Sequence, residues 1–119
     1  MSGTDRLSQV FAALADPTRR AMLERLGQGS ATVTELAEPF AISLPAVSRH
    51  LKVLESAGLV ARDRRAQWRP SSLRGEALYD ARRWMDGLLG PWDHRLDRLA
   101  AHLETRQAAA SAAGGKDQP

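Results

Sequence analysis

Small, hydroxyl and basic side chains line one face of a helix predicted over residues 43–58. At 100° per residue, the apolar Val47, Leu51 and Leu54 share the opposite face, and the outer face has no acidic residue before Glu55. An arginine on such a face can donate two hydrogen bonds to a guanine edge, while serine and lysine reach phosphates or base edges. The pattern favours a helix in the major groove of double-stranded DNA. Its candidate DNA contacts are Ser43, Pro45, Ala46, Ser48, Arg49 and Lys52.

Signals at both ends indicate one continuous helix over this segment. The hydroxyl of Ser43 can cap the N-terminus, and Pro45 lies in the first turn, where its missing N–H costs nothing. Gly58 supplies the left-handed residue that helix C-termini favour. Periodicity alone would favour an ordinary amphipathic surface helix, so the DNA-binding interpretation depends on the neighbouring segments.

After this helix the pattern changes from helical to extended. Residues 59–62 and 67–70 are two short strand candidates, and residues 63–66 are the predicted turn between them. Such a hairpin is a wing, and its candidate DNA contacts are Arg62, Arg64, Arg65 and Arg69. We expect Trp68 to pack at the base of the wing because large aromatic side chains are usually buried, with direct DNA contact as the alternative.

The excess positive charge of the chain lies on these two segments. Residues 43–70 contain six Lys or Arg and two acidic residues, a net of +4. Residues 1–42 carry −1 and residues 71–119 carry 0, which leaves the overall net charge of +3. A local excess of this kind favours a polyanionic partner at one place on the surface.

Three shorter helices are predicted before residue 43. Residues 5–15 carry an apolar stripe with Thr4 as a candidate cap, and Asp16 caps a second helix. Thr32 and Glu35 form a capping box at the start of a third, which a short turn joins to the basic helix. This arrangement predicts a winged helix-turn-helix, a mainly α fold with a small β-hairpin.

A long helix is predicted from Glu76 onward. Apolar residues recur there at intervals of three and four between Leu78 and Leu103, and Gly90 and Pro91 should kink or split the helix. A winged-helix core already covered by four helices cannot also cover so long a seam. We therefore expect the same helix of a second copy to cover it in a two-fold homodimer.

Length and composition limit the class of protein. At 119 residues the chain is predicted to form one domain over residues 1–106, followed by a tail over residues 107–119 that is expected to be disordered. No run is apolar enough to span a membrane and the first residues lack a signal-peptide core, so we expect a cytoplasmic location. The absence of cysteine excludes disulfides and thiolate metal sites.

The sequence lacks the residue constellations that are typical of enzymes. It has no Ser-His-Asp or Cys-His arrangement, no phosphate-binding glycine loop and no carboxylate pair in an apolar setting. We expect a protein that is not an enzyme and needs no cofactor. A winged-helix module that binds another protein, with an incidental basic face, is the alternative to a DNA-binding protein.

Four stretches carry a resemblance to a known family: LADPTRR at residues 14–20, VTELA at 33–37, SLPAVSRHLKVL at 43–54 and AGLV at 57–60. They resemble the ArsR family of winged-helix repressors. The resemblance implies a homodimer that leaves its DNA operator when a signal reaches it, with the first and last helices forming the dimer interface. The candidate interface residues are Leu7, Val10, Phe11, Leu88, Trp92, Leu96, Leu99 and Leu103.

The chain departs from the metal-sensing members of that family. Their cysteine pair would fall near residues 33–36, where this chain has none. His94 and His102 lie about 12 Å apart along a helix and about 80° around it, too far to bind one ion from one chain. We expect no metal within one chain, and a site shared across the dimer stays an alternative. His50 is expected to be a hydrogen-bonded structural residue, and the effector is unidentified.

Overall fold

Seven elements of secondary structure follow one another in the computed structural model, which describes residues 5–65 and 67–116. They are α1 (Arg6–Leu14), α2 (Pro17–Leu26), α3 (Val33–Ala37), α4 (Leu44–Ser56), β1 (Val60–Arg62), β2 (Ser71–Leu73) and α5 (Glu76–Lys116). The chain divides into one unit that ends at Arg82 and a second that holds the rest of α5. The predicted class, mainly α with a small β-hairpin, is confirmed.

Charged side chains fix the junction between α1 and α2. The carboxylate of Asp16 accepts the Arg19 N–H at 2.9 Å and so caps α2, as predicted. Arg19 Nε donates to the Ala13 carbonyl at 2.7 Å, and Arg20 Nη1 donates to the Leu14 carbonyl at 2.6 Å. These two arginines satisfy carbonyls at the end of α1 that have no helical partner, so the DPTRR stretch has a structural role.

Side-chain oxygens also cap α1 and α3. Asp5 caps α1 by accepting the Ser8 N–H at 2.7 Å, while the predicted cap, Thr4, lies outside the described residues. The predicted capping box is confirmed, because Thr32 and Glu35 each accept the backbone N–H of the other. These backbone hydrogen bonds favour the charged carboxylates and lower the pKa of both Asp5 and Glu35.

The core of the first unit combines one face of each of the first four helices with the start of the hairpin. Its largest fully buried apolar side chains are Met22, Leu36, Leu51, Leu54, Leu59, Val10 and Val47. The three residues predicted for the inner face of α4 are all among them. Val10 is 0% exposed within its own chain, so its assignment to a dimer interface is wrong, since an enclosed side chain cannot contact a second copy.

β1 and β2 form an antiparallel hairpin in which the second strand begins later than predicted. Arg62 pairs with Ser71, so residues 67–70 belong to the loop and not to a strand. Pro70 has no N–H to donate to a ladder. Ser71, in contrast, exchanges two backbone hydrogen bonds of 2.8 and 3.0 Å with Ala31 and is fully buried. This long-range pairing, invisible in the local pattern, decides where the strand lies.

Both predicted ends of α4 are confirmed. The Ser43 hydroxyl accepts the Ala46 N–H at 3.3 Å at the first turn. At the other end Gly58 has a φ of 77°, and the Leu59 N–H donates to the Leu54 carbonyl at 2.9 Å. This left-handed C-terminal motif turns the chain directly into the hairpin.

α5 continues as one helix through Pro91, so the helix is not split at this position. It also continues past residue 106 to Lys116, although this segment was expected to be disordered. Alanine, which is frequent there, has the highest helix propensity, and no proline interrupts the run. Residues 117–119 lie outside the described residues, and a domain boundary at residue 106 stays a prediction. Within residues 5–65 and 67–116, no helix is both long and apolar enough to cross a membrane.

Candidate nucleic-acid interface

The outer face of α4 presents the basic residues expected to contact DNA. Arg49 and Lys52 are exposed, and Ser48 is half-buried beside them. The other members of the predicted set are Ser43 and Pro45, both exposed, and Ala46, which is half-buried. The opposite face of the helix is anchored in the core, so the two cations project from a fixed element.

His50 lies at the edge of this face and contacts a structural arginine. Its Nδ1 is 3.4 Å from Nη1 of Arg19, the residue that also donates to carbonyls at the end of α1. This contact links α4 to the junction of α1 and α2 and agrees with the structural role expected of His50.

The loop residues 63–65 and 67–70, called the wing from here on, carry three of the predicted contacts. Arg64 is not free, because its Nη2 forms an ion pair of 2.7 Å with Oε1 of Glu55 on α4. Arg65 is exposed, and its backbone N–H donates to the Asp63 carboxylate at 3.1 Å. Arg69 is exposed and has a φ of 45°, which is unfavourable for a residue that carries a side chain. The pairing of Glu55 was not predicted, although Glu55 is the only acid in the α4 segment.

Arg62, at the end of β1, differs from the arginines of the wing. Its side chain is half-buried, and its Nε and Nη2 atoms are buried without a hydrogen-bond partner in the part of the chain that the structure describes. Two donors of a charged group removed from water without an acceptor are energetically costly. Arg62 is therefore an unsatisfied cation within the predicted interface.

Two grooves meet at Arg62 and Ser48. The first, called the α3 groove, has a volume of about 530 Å³ and is lined by Thr32, Val33, Thr34, Ser48, Arg62, Gln67, Trp68 and Arg69. The second, called the α4 groove, has a volume of about 300 Å³ and is lined by Ser48, Arg49, Lys52, Glu55, Arg62 and Arg64. Six predicted contact residues from α4, the end of β1 and the wing thus line one or both of these grooves. Thr32 and Thr34 were missed as groove residues, because the sequence alone did not place α3 beside the wing.

Trp68 was expected to pack at the base of the wing, but it does not. Its side chain is 75% exposed and lines the α3 groove. The expectation is wrong because residues 67–70 are a loop outside the core. The alternative, a contact with DNA, is the one that its position leaves open.

The second unit presents a long apolar face on α5. The predicted interface residues on this helix are each more than half exposed, namely Leu88, Trp92, Leu96, Leu99 and Leu103. On α1, Leu7 and Phe11 are half-buried and pack against the core of the first unit.

Within the described ranges, no group of three or more His, Cys, Asp or Glu side chains is placed to hold a metal ion. His94 and His102 are both exposed on α5. The chain also has no cysteine.

Known proteins are similar to the part of the chain that carries this surface. A family model described as a helix-turn-helix domain matches residues 14–63. The transcriptional repressor SdpR of Bacillus subtilis is 37% identical over 90 residues, which are 76% of this chain and 100% of that protein. The matched segment of the family model contains α2 to β1, and the similarity to SdpR spans that protein completely.

Solved structures share the same architecture. A crystal structure of an ArsR family transcriptional regulator has a TM-score of 0.70 and 37% identity, covering 75% of this chain and 98% of that chain. A solution structure of a homodimeric winged helix-turn-helix DNA-binding domain from Mycobacterium bovis has a TM-score of 0.56 and 26% identity, covering 82% of this chain and 95% of that chain. In both cases the similarity to this chain covers nearly all of the solved structure.

Proposed function

The chain belongs to the ArsR family of winged helix-turn-helix transcriptional regulators, and on that premise we propose that it is a homodimeric repressor that binds a specific DNA operator. Operator release by an effector completes the proposal, because a repressor must leave its site before transcription resumes. The chemistry of this effector is unidentified. The relatives of this chain are transcriptional regulators and not enzymes, which agrees with a role as a repressor.

The exposed basic face of α4 carries this proposal. Arg49 and Lys52 project from a helix of 13 residues whose inner face holds three fully buried side chains. The core therefore fixes the helix from which both side chains project before DNA binds. A helix of this kind fits the major groove of B-DNA, which is about 12 Å wide.

We assign base reading to α4 and phosphate binding to the wing and to Arg62 at the end of β1. Arg49 lies in the middle of the outer face and is the residue suited to a bidentate contact with guanine. The α4 residues proposed to approach the DNA are Ser43, Pro45, Ala46, Ser48, Arg49 and Lys52. The residues proposed to bind the backbone are Arg62, Arg64, Arg65 and Arg69.

The apolar face of α5 supports the homodimer. Five large side chains between Leu88 and Leu103 are each more than half exposed in the isolated chain, and an apolar surface of this extent marks an interaction site. The relative from Mycobacterium bovis is described as homodimeric. Leu7 and Phe11 of α1 stay candidate interface residues, whereas Val10 does not.

Salt-dependent binding to duplex DNA tests the proposal against the alternative of a protein-interaction module. Fluorescence anisotropy with a labelled random duplex should show tight binding at about 50 mM salt and a loss of about 10³ or more in affinity by about 200 mM. An interaction module without a DNA role would show no salt-linked binding. The absence of binding at low salt would contradict the proposed function.

A further inference from the structure

We infer that Arg19 is a positioning residue for operator recognition and that His50 makes this positioning sensitive to pH. In its neutral form the His50 ring accepts a hydrogen bond from Arg19 and holds α4 in the orientation that reads bases. In its protonated form the ring leaves Arg19 and turns to the carboxylate of Asp16. The inference rests on the proposed function and goes further, because it names acidification as a signal that weakens operator recognition.

The guanidinium of Arg19 is held by the end of α1. Its Nε donates to the Ala13 carbonyl at 2.7 Å, and its Nη2 donates to the Ala12 carbonyl at 3.1 Å. Two hydrogen bonds from one planar group fix the direction in which the third nitrogen, Nη1, points. This nitrogen lies 3.4 Å from Nδ1 of His50. Arg19 therefore connects the end of α1 to the α4 residue that directly follows Arg49, the proposed base reader.

Only one protonation state of His50 fits this contact. A guanidinium has donors and no acceptor, so Nδ1 must accept the hydrogen bond and carries no proton. A proton on Nδ1 would remove the hydrogen bond and leave two positively charged groups with nitrogens 3.4 Å apart. Histidine side chains change charge between about pH 5 and 8. A modest fall in pH can therefore break the contact between α4 and Arg19.

Asp16 offers the protonated ring a second partner. Its carboxylate caps α2 by accepting the Arg19 backbone N–H at 2.9 Å. This hydrogen bond is the main cause that lowers the pKa of Asp16, and attraction to a charged His50 is a further cause, so the imidazole lies within electrostatic range of the carboxylate. Because this pKa lies below 3.8, Asp16 stays charged wherever histidine titrates. Protonation thus exchanges one partner of His50 for another.

A groove of about 280 Å³ borders Arg19 between α1 and α4. The described residues that α1 and α4 contribute to its lining are all uncharged, namely Gln9, Ala12, Ala13, Val53, Ser56 and Ala57. Within the described part of the chain, the charged groups that face His50 are therefore Arg19 and Asp16, with Arg49 beside it on α4. The groove leaves space beside α4 into which the helix can shift once the contact with Arg19 is lost.

Operator discrimination measured at about pH 8 and about pH 5.5 tests the inference. A duplex that the wild type selects from a random library at the higher pH serves as the operator, and fluorescence anisotropy gives the ratio of its affinity to that of a random duplex. This ratio should fall roughly fivefold or more at the lower pH. Affinity for the random duplex should stay equal or rise, because the protein gains positive charge. A ratio that did not change with pH would overturn the inference alone, whereas a wild type that selected no sequence would overturn the proposed function as well.

His50→Asn removes the titration and keeps an acceptor. Its Oδ1 takes the place of Nδ1, so the ratio at the higher pH should stay close to that of the wild type and should no longer fall at the lower pH. The matched controls are His94→Asn and His102→Asn, at exposed positions on α5, which should keep the pH dependence of the wild type. A pH dependence that persisted in His50→Asn would contradict the inference.

NMR of the wild type without DNA tests the same contact even if His50→Asn does not fold. The Arg19 Nε–H signal and the His50 ring signals should shift with one common midpoint as the pH falls. Asp16→Asn should lower this midpoint, because the protonated ring loses its charged partner. An Arg19 signal that did not respond while the His50 ring titrated would overturn the inference.

Discussion

At the scale of single residues, the wing of the free protein is tied to the helix beside it. Arg64 contacts Glu55 on α4 at 2.7 Å, so this arginine must exchange a carboxylate for a phosphate when DNA binds. Both side chains are partly exposed, and such pairs contribute little, about 0.2 to 1 kcal/mol. The pair thus orients the wing without locking it.

Neutralising Glu55 should strengthen DNA binding. Glu55→Gln frees Arg64 and removes a carboxylate from the α4 groove, so affinity for a random duplex should rise by roughly twofold to fivefold per subunit. Fluorescence anisotropy at low salt measures this change. Glu24→Gln, at an exposed position on α2, is the matched control and should have no such effect. Weaker binding by Glu55→Gln would show that the pair is needed to hold the wing in its binding position.

Arg49 and Arg64 should affect DNA binding in different ways. Arg49→Ala should shrink the affinity gap between operator and random duplex by about 1 to 3 kcal/mol per half-site, because a bidentate contact with guanine is lost. Arg64→Ala should lower both affinities and reduce the salt slope, because it removes a phosphate contact. Titrations of both variants with both duplexes measure the gap. If Arg49→Ala kept the gap and Arg64→Ala removed it, the assigned roles would be reversed.

At the scale of secondary structure, local signals predicted the helices well and the hairpin poorly. Asp16, Ser43 and the Thr32 capping box act within one turn of the chain, so their residue types were sufficient to place three helix starts. The position of β2 depends on Ala31, forty residues away in sequence, and no local pattern contains that partner. The error at β2 also caused the wrong expectation for Trp68.

The cap of α2 makes stability depend on pH. The backbone N–H of Arg19 holds the pKa of Asp16 below its ordinary value of 3.8, so this contribution to stability is present above that value and is lost as the pH falls through the lowered pKa. Asp16→Asn caps without titrating and should flatten the loss of stability below about pH 4. Denaturant unfolding of both proteins from neutral to acidic pH measures this. An equal acid response in wild type and variant would show that Asp16 does not contribute.

At the scale of the whole molecule, a single chain leaves the apolar face of α5 exposed to solvent. The apolar residues of α5 from Leu88 to Leu103 repeat with helical spacing and stay exposed in the isolated chain, which agrees with this part of the seam predicted from sequence. Leu78 and Ala81, at the start of the predicted seam, instead pack into the core of the first unit. The fold and the exposed seam were predictable because both follow from periodicity. The burial of Val10 was not, because α1 has apolar residues on more than one side, and only the packed core shows which of them it encloses.

Charge on the seam should prevent dimerisation. The double variant Leu96→Glu and Leu99→Glu places carboxylates in the proposed interface, where burial without a partner is costly. Light scattering should give about twice the chain mass of 13.0 kDa for the wild type and monomer or aggregate for the variant. The exposed Glu104→Gln is a control that should stay dimeric. A folded wild-type monomer at micromolar concentration would contradict the homodimer.

Hydroxyl-radical footprinting on the DNA upstream of the gene that encodes this chain tests most directly whether two copies of α4 read one operator. The two-fold dimer predicts two protected half-sites on one face of the duplex, with centres about 34 to 36 Å apart, and Arg49→Ala should lose this protection at protein concentrations where the wild type gives it. Uniform protection without half-sites, or a pattern that Arg49→Ala leaves unchanged, would contradict sequence-specific binding through α4.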